Sequence, residues 1–288
     1  MDQMKIAIRP DIGASARIVQ YNRLRYANIL INRPLLILVE HGTKILRSGE
    51  EEWVVPAGGC IALAQGETFD VVNAADGERA YEARWIAFEP DTVAAFAGKP
   101  GKGQPFPRAF PVLSPHTGFR GAFADCARAI GDPDSTPAEI VRHRIDELLL
   151  WLDLSGARFA MPRPALFSER VRDLISSDPQ GDWTSARICT STGVSEATLR
   201  RRLAAEKWSF QTLLIDVRMS ITMQLLQSTE LSVLRIADAV GYESQSRFAA
   251  RFRARFGFAP SAIRGHIRPG PDVSASSSPL TRTDCPSP

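Results

Sequence analysis

Metal-binding and disulfide chemistry have little to work with in this chain, whose 288 residues hold four cysteines and four histidines. Cys60, Cys126, Cys189 and Cys285 are scattered without any CxxC spacing, and no two histidines stand one residue apart. That pattern argues for free thiols and against a disulfide framework, a structural zinc site or metal-dependent folding. Long apolar runs are also missing. The best stretch, Ile29 to Val39, is broken by Asn32, Arg33 and Pro34, whereas a membrane span needs about 18 or more uninterrupted apolar residues. A soluble protein with no membrane partner is expected. Met1 to Pro10 has no basic flank followed by a continuous apolar run, so the cytoplasm is the expected compartment. A GxSxG elbow, a P-loop and a dinucleotide fingerprint are all absent, and no cofactor is implied.

What the chain has is ordinary globular composition, 44% hydrophobic and 23% charged, at a length that accommodates two domains with separate cores. The net charge of +3 is unevenly placed. Residues 1–165 carry 19 Lys and Arg against 20 Asp and Glu, and residues 166–268 carry 15 against 10. All of the latter cations except Lys207 are arginine, several of them in short runs: Arg200, Arg201 and Arg202, then Arg247, Arg251, Arg253 and Arg255. Arginine suits phosphates and guanine edges. A charge run is more often a solvated helix face, so charge alone assigns nothing.

Between Arg33 and Phe88 the apolar runs are short and rich in β-branched and aromatic residues: Leu35 to Val39, Trp53 to Val55, Ile61 to Leu63, Phe69 to Val72 and Tyr81 to Phe88. Separated by glycine and proline, they read as strands of a small antiparallel β domain. Gly98 to Pro115 reads as a linker or exposed loop that ends this domain. Helical spacing takes over at Phe119 to Ile130 and Ala138 to Leu154, the latter apolar at Ile140, Val141, Ile145, Leu148, Leu149 and Leu152. That stripe packs on the β domain or pairs with a second copy of the chain. Residues 269–288 are Pro/Ser-rich and are expected to be disordered.

An internal repeat carries the functional signal. Ile188-Cys189, Gly193-Val194-Ser195, Leu199 and Leu203 recur as Ile236-Ala237, Gly241-Tyr242, Ser244, Phe248 and Phe252, displaced by 48 residues before the turn and 49 after it. Each copy meets the demands of a helix-turn-helix. A small residue lets two helices approach, and a glycine four positions later takes positive φ in the turn. A serine then caps the second helix, and apolar residues at helical spacing hold it down. The outer face is left with Arg200, Arg201 and Arg202 in one copy and Gln245, Ser246, Arg247, Arg251 and Arg255 in the other. Arginine can grip guanine and glutamine can grip adenine in the major groove. Ser209 to Thr229 reads as a stiff helical spacer, apolar at Phe210, Leu213, Leu214, Val217, Ile221 and Leu225. It would favour engagement of successive groove segments about 34 Å apart.

These residues resemble the AraC/XylS family of bacterial transcription regulators over about Phe167 to His266. The most specific stretch runs from Ile236 to Phe248, continued by Phe252-Arg253, Phe256-Gly257, Ala259-Pro260-Ser261 and Arg264. Arg218 in the spacer also fits. The resemblance implies base-edge contacts from Ala197, Arg200 and Arg201 in the first recognition helix and from Gln245, Ser246, Arg247 and Ala250 in the second, with Arg251 on a phosphate or base edge. Ala197 and Ala250 can offer only a methyl to thymine. Arg202 and Arg255 are expected to face phosphate or solvent. One departure stands out: Lys207 and Trp208 follow the first recognition helix where many members have a glycine, which leaves that helix's end open.

The expected fold is therefore α+β and multidomain. Residues 1–100 form a cupin-like sensor domain and 101–165 a linker and helical region, to which the resemblance assigns dimerisation. Residues 166–268 form an all-α DNA-binding domain with helix-turn-helix motifs at 185–204 and 233–256 joined by a linker helix. By resemblance the protein is an activator whose partners are promoter DNA, RNA polymerase, a small-molecule or protein effector and a second copy. The alternative is a cupin-type enzyme or small-molecule binder with a basic appendage. Metal cupins need clustered His and carboxylate ligands, and only His41 lies in the strand region.

Overall fold

The structure is a computed structural model that describes residues 6–21, 23–77, 79–161, 166–229 and 231–264. The tail at 269–288, expected to be disordered, lies outside the described residues. The chain opens with β1 (Ala7–Arg9), β2 (Gly13–Gln20), β3 (Leu24–Leu30), β4 (Leu35–His41), β5 (Thr43–Ser48), β6 (Glu51–Pro56), β7 (Cys60–Leu63), β8 (Thr68–Ala74) and β9 (Tyr81–Phe88). It continues through α1 (Pro90–Ala97), β10 (Gln104–Pro105), β11 (Ala109–Val112), α2 (Thr117–Gly131), α3 (Ala138–Leu154) and β12 (Ala157–Arg158). Two antiparallel sheets, ordered β1-β2-β9-β4-β7-β11 and β3-β8-β5-β6, enclose one apolar interior, and β10 pairs with β12 in parallel.

The five apolar runs all fall inside strands, β4 and β6 to β9. Their pattern follows from what covers each face. The larger sheet is buried on both sides: Ile61 and Leu63 of β7 point into the inter-sheet core, while Cys60 and Ala62 meet α2 and α3. Strands covered on both faces read as continuous apolar runs. β8 alternates buried and half-buried instead, because one of its faces meets solvent.

The stretch at 98–115 is more than a linker. β11 pairs with β7 in the register Ala109 to Leu63 through Val112 to Cys60. The backbone amides of Lys102 and Gly103 donate to the Asp153 carboxylate at 3.0 Å each, and those bonds hold the pKa of Asp153 below the usual carboxylate value against the desolvation that raises it. α2 and α3 bury Phe119, Phe123, Cys126, Ile145, Leu148 and Leu152 against the larger sheet. Each such side chain contributes about 1.5–3 kcal/mol, so the helical region belongs to the core of the first domain. Ile140, expected on that stripe, is 49% exposed.

The C-terminal half is helical: α4 (Phe167–Ser177), α5 (Ser185–Thr192), α6 (Glu196–Ala205), α7 (Phe210–Ser228), α8 (Val233–Ala239), α9 (Gln245–Phe256) and α10 (Pro260–Arg264). α7 is buried on two faces rather than one. Leu213, Leu214 and Val217 join Val171, Ile188, Leu199 and Leu203, whereas Met219, Met223 and Leu226 join Ile236, Phe248, Phe252 and Phe256. The second core runs on into the β interior, where the Tyr26 ring meets Phe258 edge-on at 6.0 Å.

Candidate nucleic-acid interface

Both repeat copies form the same construction. Thr184 and Ser195 accept from the amides of Arg187 (3.2 Å) and Thr198 (3.3 Å) to cap α5 and α6. Ser232 and Ser244 do the same for α8 and α9, through Arg235 (3.2 Å) and Arg247 (3.4 Å). Such caps satisfy amides that a helix start leaves free. Gly193 and Gly241 take the turns at φ 66° and 77°, a region that costs any side chain with a Cβ. Leu199 and Leu203 then bury one face of α6, and Phe248, Phe252 and Phe256 bury one face of α9.

The opposite faces carry the sequence-predicted residues. Ala197, Arg200 and Arg201 are exposed on α6, and Gln245, Ser246, Arg247, Ala250 and Arg251 are exposed on α9. Arg202 is exposed and its guanidinium sits 5.3 Å from the centre of the Phe167 ring. Arg255 departs from expectation. It faces neither solvent nor a groove: its Nε donates to Asp216 Oδ1 and its Nη1 to the Ala27 carbonyl, both at 2.8 Å. Helical phase does not separate it from exposed Arg251 one turn earlier; what differs is that Asp216 and the Ala27 carbonyl lie within reach of residue 255.

The end of α6 resolves the missing glycine. Lys207 itself adopts the left-handed conformation, φ 61°. The amides of Lys207 and Trp208 donate to the carbonyls of Ala204 (3.0 Å) and Leu203 (2.8 Å), the paired bonds of a Schellman ending. A left-handed non-glycine residue costs about 1–2 kcal/mol. Lys207→Gly is therefore expected to stabilise the fold by about 1 kcal/mol, measured as a rise in denaturant midpoint at unchanged slope. Next to it, Glu206 accepts the amides of Phe167 (2.9 Å) and Ser168 (2.8 Å), capping α4 from a different helix. No local pattern announces that cap, since its partners lie nearly forty residues upstream.

Arg218 of α7 donates to the carbonyls of Pro179 (3.1 Å), Gly181 (2.9 Å) and Gly241 (3.2 Å). The linker helix thus fastens the loop before α5 to the turn of the second motif. Its role extends beyond that of a spacer.

A buried polar cluster in the β domain was not foreseen from the sequence. Lys44 on β5 donates to Asn73 Oδ1 at 2.9 Å, and Asn73 Nδ2 and the Tyr26 hydroxyl both donate to Gln20 Oε1, at 3.1 and 2.7 Å. The Lys44 ammonium stands 5.6 Å from the Tyr81 ring centre, and the buried Tyr81 hydroxyl has no hydrogen-bond partner. Among the described residues no carboxylate pairs with Lys44, and burial drives its pKa from 10.5 to about 7. The signal was available in the alternation of β5, where Lys44 is in phase with buried Leu46 rather than with exposed Arg47. His41, by contrast, is half-exposed with Nδ1 3.4 Å from Glu82. Among the described residues no three His, Cys, Asp or Glu side chains are grouped to hold a metal, and no helix is long and apolar enough to cross a membrane.

The fold defines a two-domain protein with a β-sandwich joined to a pair of helix-turn-helix motifs. Sequence comparison agrees, matching residues 20–152 to the AraC-like ligand binding domain and residues 188–266 to a helix-turn-helix domain family. The chain thus carries both domain types of AraC-type regulators. It is 31% identical over 106 residues to the transcriptional activator CfaD of Escherichia coli, covering 37% of this chain and 40% of that one. It is 34% identical over 133 residues to the transcriptional regulator YdeO of E. coli K12, covering 44% and 52%. The match thus spans about half or less of these curated relatives. Among solved structures, apo ToxT from Vibrio cholerae superposes with a TM-score of 0.64 at 13% identity, over 90% of this chain and 99% of that one, a likeness of fold. Wild-type ToxT with an unsaturated fatty acid bound gives 0.62 at 12% identity, over 90% and 98%.

Proposed function

We propose that the protein is a sequence-specific DNA-binding transcription regulator, an activator, whose helices α6 and α9 read adjacent major-groove segments while the β domain adjusts that activity. The observation that carries this reading is the division of each second helix: a Leu or Phe face is buried, and the Arg, Gln and Ser face is open. On that face Arg200, Arg201 and Arg247 suit guanine edges and Gln245 suits adenine, Ser246 either, and Ala197 and Ala250 a thymine methyl, while Arg251 takes a phosphate or base edge. RNA polymerase is the protein partner that activation requires. A second copy of the chain is the proposed partner of Ile140, Leu150 and Leu154, which α3 leaves exposed. The effector is a small acidic molecule held at Lys44, Gln20, Asn73, Tyr26 and Tyr81, a reading supported by the buried lysine, which has no carboxylate partner among the described residues, and by the fatty acid found in ToxT.

Genome-wide fragment binding by the purified protein at fixed salt tests the central claim, since affinity without stated salt is uninterpretable. The expected result is a compact set of promoters sharing two short motifs about one helical turn apart. On such a site Arg247→Ala is expected to cost about 1–3 kcal/mol of binding and to relax preference at one base position. Equal weakening on every sequence would reassign Arg247 to a phosphate.

A further inference from the structure

We propose that Arg255 is the positioning residue through which the β domain sets the second reading helix, with Asp216 as the pivot; this rests on the reading of α6 and α9 as base-reading helices. Asp216 of α7 is divided between two arginines. Its Oδ1 accepts a hydrogen bond from Arg255 Nε of α9 at 2.8 Å, and its Oδ2 lies 2.7 Å from Arg172 Nη1 of α4 as an ion pair. Arg172 in turn lies over the Trp208 ring at 4.7 Å, just past the end of α6. One carboxylate thereby ties the end of the first reading helix to the second. All three side chains are largely buried, at 6%, 10% and 17% exposure for Arg172, Asp216 and Arg255. An arginine held this way is unavailable to a DNA phosphate.

The same Arg255 fork reaches the other domain. Nη1 donates to the carbonyl of Ala27, within the stretch of β3 where the pairing with β8 shifts register, between Tyr26 and Ile29. The neighbouring Tyr26 contributes twice: its hydroxyl is bonded to Gln20 in the Lys44 cluster, and its ring packs edge-on against Phe258, just past α9. A ligand that rearranges the Lys44 cluster therefore moves the strand on which Arg255 rests. The contacts run without a gap from Lys44 through Asn73, Gln20, Tyr26 and Ala27 to Arg255 and Asp216. The planar fork is what the arrangement demands, because a lysine could serve one acceptor in line but not both.

The test uses the full-length protein and two duplexes, one with both promoter segments and one with the segment under α9 randomised. Wild-type protein should prefer the intact duplex; indifference would overturn the base-reading premise and the proposal with it. Arg255→Lys and Asp216→Asn should each reduce that preference tenfold or more, and wild-type preference in both variants would overturn the proposal. Neither removes a cation, so the slope of log affinity against log salt should stay at its wild-type value. If Arg255→Lys behaves as wild type while Arg255→Met lowers that slope by about one, Arg255 is a phosphate contact and the proposal fails. Hydrogen exchange without DNA gives a second reading. Faster exchange at β3 and the last turn of α9 together in Arg255→Lys supports the coupling, and unchanged protection overturns it.

Discussion

Replacing Lys44 with methionine is expected to make the ligand-free protein more stable, by about 2 kcal/mol near neutral pH. The lysine is fully buried with its pKa lowered from 10.5 to about 7 by desolvation. A shift of that size corresponds to about 5 kcal/mol of unfavourable energy when the pH is below both values. Methionine has nearly the same length and removes that term. The cost is an unpaired Asn73 Oδ1, about 1–3 kcal/mol. The sign with pH follows from proton counting. Between about pH 7 and 10.5 the unfolded chain holds a proton on Lys44 that the folded chain has lost, so the wild-type penalty shrinks as pH rises. The advantage of Lys44→Met should be greatest below pH 7 and fade towards pH 10, in urea melts of the two proteins side by side. An unsaturated fatty acid used as probe should stabilise the wild type and leave the variant unaffected. Binding by the wild type should be accompanied by proton uptake on the amine. Destabilisation by Lys44→Met at pH 6 would make the lysine an ordinary structural residue.

Phe252→Ala is expected to cost about 3–5 kcal/mol of stability, the range for emptying a well-packed aromatic site. The side chain is fully buried, with ring centres of Phe256, Phe258 and Phe248 at 4.7, 6.0 and 6.4 Å. These rings hold α9 on α8 and α7, and the same core continues into the β interior. For a chain of this size the melting temperature should fall by about 10 °C. Calorimetry should also show the loss shared by both domains, because the cavity opens in a core they have in common. An unchanged melting temperature would contradict the helical register that puts Arg247 and Arg251 outside, since one register decides both faces.

Local periodicity is enough to place the exposed faces of α6 and α9. Gly193 and Gly241 announce tight turns, Ser195 and Ser244 announce helix starts, and the four-residue spacing of Phe248, Phe252 and Phe256 orients α9, so Gln245, Ser246, Arg247, Ala250 and Arg251 had to lie opposite. Five strands were legible because burial on a sheet face selects apolar residues in a run or at every second position. β1, β2, β3 and β5 were not read. β2 begins with small residues, β3 contains an irregular step, and β5 carries an inward lysine, each of which disturbs the pattern.

The division between the two kinds of knowledge is physical. Helix phase, turn and cap are decided by residues a few positions apart, so the chain's own order specified the two helix-turn-helix motifs and the exposed faces of their second helices. Arg255 shares a helix and a charge with Arg251, and nothing nearby in sequence distinguishes a groove contact from an ion pair. Its role depends on Asp216, 39 residues away, and on Ala27, 228 residues away. Lys44 likewise acquires its meaning from Asn73, brought beside it by strand pairing, and from Gln20 and Tyr81, brought over it by the facing sheet. Long-range partners are selected by packing, and only the folded chain shows which charge has been taken out of water.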